Sequence, residues 1–284
     1  MRNRFWAGAV FTIAAVGGCV GGGDGDLLVE GTPPATPYRG PLHVPARDLD
    51  EDGPRATRIE SGAAGRALEC DGEIYSGGAG EAWSEGDGGD TPEEGLAAYF
   101  DMEQPGVPRS GYRVEREERD RVLFSYDVAG RTKVAVVVAK DRENAPGWGP
   151  ETSASCDPAE LPASFTDTQW YEIWTDVHGN RVPITEVNSS KGPAHCDWQA
   201  AHFLELGGGG HDGDYARDPE GVLPDGMLTG AYDGDARMPA GARDTGFRRD
   251  DRELWVTDDP ARIYVRTPDG VEAWPRVADG MGCR

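Results

Sequence analysis

In the run Gln169-Trp170-Tyr171-Glu172-Ile173-Trp174, a tryptophan stands two positions to either side of a glutamate. Alternate side chains of a strand share a face, so Trp170, Glu172 and Trp174 point together while Tyr171 and Ile173 point the other way. If Tyr171 and Ile173 face the core, two indoles flanking a carboxylate are left outside. Such a ligand platform stacks on sugar rings or holds a cation. The alternative places the tryptophans in the core, with Glu172 paired or covered by the preceding part of the chain.

Other residues with chemical potential fall short of a site. Asp48, Asp50, Asp52 and Gly53 occupy the first, third, fifth and sixth positions of a calcium loop, but the twelfth is Ile59, and Glu60 comes one residue late. An acidic, solvated linker accounts for them better. The histidines, His43, His178, His195, His202 and His211, make no H-E-x-x-H, and the spacing of His195 and His202 fits no common zinc pattern. His195 precedes a cysteine, which argues for a packing role. Neither G-x-S-x-G nor S-x-x-K occurs. The acids are too numerous for a glycosidase-type pair to be located among them. No catalytic residue, metal ligand or cofactor is therefore assigned.

Cysteines say more about where the protein resides. Arg2 and Arg4 precede an uncharged stretch from Phe5 to Val16, which has the length of a secretory signal's apolar region and is too short to span a bilayer. It ends in Val16-Gly17-Gly18-Cys19. This string resembles the lipobox of bacterial lipoprotein precursors, an aliphatic and two small residues before the cysteine to be lipidated. The resemblance implies a signal peptide over 1–18, cleavage before Cys19, and a diacylglyceryl group on its sulfur that anchors the protein to the outer face of the cytoplasmic membrane. Four cysteines remain, and an even number in an exported chain reads as two disulfides with three possible connectivities. We expect Cys70–Cys156 and Cys196–Cys283, each closing one predicted domain near its ends.

The formal net charge is −23, and −25 once a signal with two arginines and no acids is removed. A surface this acidic repels nucleic acid and anionic lipid headgroups, and it keeps an exported protein soluble.

The elements that would position the platform follow from turn and cap signals. Residues 19–66, with GGGDGD, GTPPATP and DLDEDGP, read as a flexible tether. An α+β domain is expected over 67–160. Its helix starts at Thr91 as N-cap, with Pro92 at the first position and Glu94 completing a capping box, and it buries Leu96, Tyr99 and Phe100. It packs on a small antiparallel sheet in which Val134–Val138 lies centrally. A second, mostly-β domain is expected over 165–284, with strands at QWYEIWTD, RVPITEVNSS, ELWVTDD, ARIYVRT and VEAWPRV, the last two joined by the turn Pro268-Asp269-Gly270. HCDWQAAHFLEL reads equally as short helix or strand.

The order HCDWQAAHFLEL, YARDPEGVL, DTGFRRDDRELWV and VEAWPR resembles a segment recurring in actinobacterial lipoproteins. The resemblance implies an origin and no reaction. The sequence thus points to an extracytoplasmic lipoprotein held to the bilayer through Cys19, which binds an unidentified envelope component or exported protein. The alternatives are an enzyme acting on envelope polymers through carboxylates and a purely structural envelope protein.

Overall fold

Val134 to Val138 are all fully buried, and a strand buried on both faces needs cover on both. The computed structural model, which describes residues 28–32, 37–45, 49, 53–80, 83–207 and 213–278, supplies both covers. Strands β1 (Ile74–Ala79), β2 (Tyr112–Glu117), β3 (Arg121–Val128), β4 (Arg131–Arg142) and β5 (Ala145–Cys156) form an antiparallel sheet in the order β1-β5-β4-β3-β2. On one face Val134, Val136 and Val138 pack with Leu96, Tyr99 and Phe100 of a helix spanning Pro92–Glu103. That helix begins as its sequence predicts: the Thr91 hydroxyl accepts from the Glu94 N–H, and the Glu94 carboxylate accepts from the Thr91 N–H.

The opposite face corrects the expectation of a tether reaching residue 66. Two short helices precede the capped one, so in chain order they are α1 (Pro54–Glu60), α2 (Gly62–Ala67) and α3 (Pro92–Glu103). Ala63 and Ala64 of α2, with Leu42, are buried against Leu123, Ala135, Val137 and Ala154. The residues doing this are mostly alanines and glycines, which let a helix approach a sheet closely yet carry little hydrophobic signal. Asp48, Asp50 and Asp52 lie outside the described residues, as do Cys19, His211 and Cys283. Glu60 sits within α1, where its carboxylate accepts from the Leu49 N–H.

Past Cys156 and a short helix α4 (Ala163–Thr166), the chain builds two more antiparallel sheets. One has the order β6 (Tyr171–Ile173), β7 (Val187–Lys191), β8 (His202–Leu206), β9 (Gly213–Arg217). The other runs β10 (Arg243–Arg249), β11 (Arg252–Val256), β12 (Arg262–Thr267), β13 (Gly270–Pro275). They pack face to face around Trp174, Val187, Leu204, Tyr215, Leu254, Ile263, Val265 and Trp274. The pair is stitched at its edges: Thr175 and Arg248 exchange backbone bonds of 2.7 Å each way, and Tyr215 bridges to Arg276. The fold is thus mostly β, three antiparallel sheets with few helices.

Several boundaries differ from the sequence reading. RVPITEVNSS is strand only from Val187, because Pro183 has no N–H to give a ladder and its carbonyl instead closes a turn with the Glu186 N–H. HCDWQAAHFLEL resolves into a 3₁₀ turn at Ala194–Cys196 followed by β8. Cys70 and Cys156 form the expected disulfide. Cys196 is also disulfide-bonded, and its expected partner lies outside the described residues.

Candidate functional site

Strand register decides the fate of the Trp-Glu-Trp motif. Glu172 pairs with Ser189 and Ser189 with Leu204, so Glu172 lies on the face turned toward the second sheet. Trp174 shares that face and is fully buried, whereas Trp170 precedes the strand and is 75% exposed. The two indoles therefore do not frame an open carboxylate. Tyr171 and Ile173 do point the other way, into a small cluster with Ile184 and Ala159 and apart from the main core. The expected exposed platform is overturned because a second sheet covers the face that was to be free. His195, expected to pack, is exposed.

Glu172 is instead the centre of a polar network. Its Oε2 accepts from Ser189 Oγ at 2.6 Å and from Arg252 Nη2 at 2.8 Å, and lies 3.1 Å from His202 Nε2. A carboxylate only accepts, so this histidine nitrogen carries its proton. Ser189 in turn accepts from the Trp174 indole N–H at 2.9 Å, and the Arg252 guanidinium lies 5.6 Å from the Trp174 ring centre. Burial pushes the Glu172 carboxyl up, but the hydrogen bonds from His202, Ser189 and Arg252 outweigh it and hold the group well below the usual carboxylate range.

The same register lays out a second feature. Lys191 pairs with His202, and His202 with Arg217, so three basic side chains stand side by side across β7, β8 and β9 on the inner face. Arg252, Glu272 and Trp274 face them from the other sheet, and together the six line a cavity of about 360 Å³ at the open end of the sandwich. Arg217 Nε donates to Glu272 at 3.0 and 3.2 Å, and the Trp274 indole donates to the same carboxylate at 2.8 Å. Lys191 has no ion pair among the described residues. Deeper in, the inner faces are apolar.

This arrangement offers donors whose positions are fixed by carboxylates beneath them. Ser189, the hydroxyl bound to Glu172, is 1% exposed and spends its proton on that carboxylate, which closes it to a substrate. A three-residue group of metal-ligating types, Cys70, Cys156 and Glu160, is not a metal site, since both cysteines are consumed by the disulfide. Comparison of the chain with protein-family models, with curated proteins and with solved structures finds no match.

Sequence reasoning found Glu172 but missed His202, Arg217, Arg252 and Glu272. They lie on four different strands, 15 to 35 positions apart in sequence from one to the next, and only the pairing of those strands brings them together. The signal available was local: a basic residue at the inward-facing end of each of β7, β8 and β9, where alternation calls for an apolar one.

Proposed function

We propose that the protein is a membrane-anchored extracytoplasmic lipoprotein, lipidated at Cys19, whose sandwich mouth binds a ligand of the cell envelope. In this reading the body comprises an α+β domain ending near residue 160 and a mostly-β domain from about 165, the latter closed by a Cys196–Cys283 disulfide. One observation carries the binding function: Lys191, His202 and Arg217 stand in a row at the end of a sandwich whose deeper inner faces are apolar. Alternation calls for apolar side chains at these inward positions, and departures from the inside-apolar pattern concentrate where function requires them.

Binding is favoured over hydrolysis by a carboxylate pair. That chemistry needs one acid kept protonated near neutrality. Glu172 and Glu272 are each bonded to an arginine, and the network of Glu172 favours its ionised form.

The test is a steric block. Gln199 is exposed on the rim of the cavity, so Gln199→Trp fills the mouth without breaking any ion pair. Thermal melts of the full chain are compared with and without a fraction of envelope glycans. A ligand at 100 times its dissociation constant adds about 2.7 kcal/mol of stability, a visible rise in Tm. The rise is expected for the parent chain and abolished in Gln199→Trp. An equal rise in both would remove the cavity from the function.

A further inference from the structure

A second cavity, of about 450 Å³, opens beside β6 and shares a wall with the first. Lys191 lines both, and Glu172, which lines the second, is hydrogen-bonded to His202 and Arg252 of the first. Two features of this cavity are otherwise unexplained. Among the described residues Arg249 turns a buried Nε toward no acceptor, and its ion pair, with Asp250 at 3.4 Å, lies on the exposed side. Trp170, at 75% exposure the most open of the large hydrophobic side chains described, lies edge-on to the Tyr171 ring 5.5 Å away.

Resting on the binding function above, we propose that the two cavities form one site for a sugar ring bearing a phosphate or carboxylate. The anion sits at Lys191, the cation common to both walls. Arg249 donates its unused Nε–H to an oxygen of the same ligand, and the face of Trp170 stacks on the sugar. The charge logic is local: among the described residues Lys191 has no ion pair, and Arg217 and Arg252 line the adjoining cavity with it in a protein whose overall charge is −23. In a chain so rich in acids, a cation left without one among the described residues is available to an outside anion. A planar indole beside it suits the apolar face of a pyranose and gives nothing to a bare inorganic ion.

The experiment titrates the full chain, at constant ionic strength, with glucose 1-phosphate, glucuronate and glucose, and reads the heat of binding and tryptophan fluorescence. At least one of the two anions binds, and glucose binds more weakly by about tenfold or more, as expected for loss of a charge-assisted hydrogen bond. Which anion binds identifies the source of the charge. Lys191→Gln weakens that anion by a similar factor, Lys191→Arg retains it, and Trp170→Ala weakens anion and glucose alike. Both residues are exposed, and matching melting curves for the variants confirm that the fold is unchanged. Glucose binding as tightly as the anions, no binding of either anion, or an unchanged affinity in Lys191→Gln would overturn the proposal. The cavity's role is separable: if Gln199→Trp abolishes the effect of envelope glycans while Lys191→Gln does not, the anion assignment falls and the cavity stands. If neither variant alters that effect, both fall.

Discussion

Glu172 is held by more partners than a structural carboxylate at a sheet end requires, and its titration gives the arrangement a measurable signature. Hydrogen bonds from His202, Ser189 and Arg252 outweigh desolvation and lower its pKa in the folded state. A carboxyl with a depressed folded pKa contributes stability that is fully present above its unfolded value, about 4.3, and is lost as pH falls through the folded value. Glu172→Gln leaves Arg252 without its carboxylate and places an amide where only acceptors fit. We expect a loss of about 2 kcal/mol at pH 7, in the range for stranding partly buried donors. The gap between variant and parent should hold down to about pH 4.5 and narrow steadily below it, where the unfolded parent chain takes up a proton at this carboxyl that the folded one does not. Urea denaturation at pH 7, 5 and 3 checks this. A gap unchanged at pH 3 would mean that the ionised carboxylate is not the source of the stability.

At the scale of elements, local signals were legible and covering partners were not. The start of α3, the central β4 and the turn between β12 and β13 each rest on residues within a few positions of one another, so the chain announces them directly. Two-sided burial of Val134–Val138 implied a second cover, yet α2 is built from Gly62, Ala63, Ala64 and Gly65, which look like linker until a sheet is placed over them. The Trp-Glu-Trp alternation was legible too, and only its exposure was misjudged, because the sheet that buries Trp174 comes some 80 residues later. The disulfide ties these elements at their ends. Cys70, just before β1, meets Cys156, the last residue of β5, across a sequence separation of 86. Replacing both with alanine should cost about 4.5 kcal/mol in the chain-entropy model. The fold should survive, because the same junction is clamped independently. Lys133 Nζ donates to Glu160 at 2.5 Å and to Asp71 at 2.9 Å, and Glu160 accepts the Asp71 and Gly72 N–H groups. Urea midpoints of Cys70→Ala/Cys156→Ala against the parent measure the cost. A midpoint that did not move would show that the open chain is already as restricted as the closed one.

For the whole molecule, the proposed anchor and the proposed site make separable demands. Among the described residues no helix is long and apolar enough to cross a membrane, and the lipoprotein reading places all attachment at Cys19. A single acyl chain binds a bilayer only marginally, whereas two or more make attachment durable, so the reading predicts an all-or-none dependence on one sulfur. In Cys19→Ala the protein should leave the membrane fraction for the soluble one. Its response to envelope glycans, governed by Lys191 and its neighbours well over a hundred residues away in sequence, should be unchanged. Retention of Cys19→Ala in the membrane fraction after a high-salt wash would exclude lipid on Cys19 as the anchor. Release by the salt wash alone would point to a charged contact instead, since exposed ion pairs separated by more than a Debye length, about 3 Å at 1 M, are screened. The acidity of the chain makes that second outcome informative. Anionic headgroups repel a surface of net charge −23, so electrostatic retention would have to run through the cationic end of the sandwich, and Lys191→Gln would then weaken membrane association together with ligand binding.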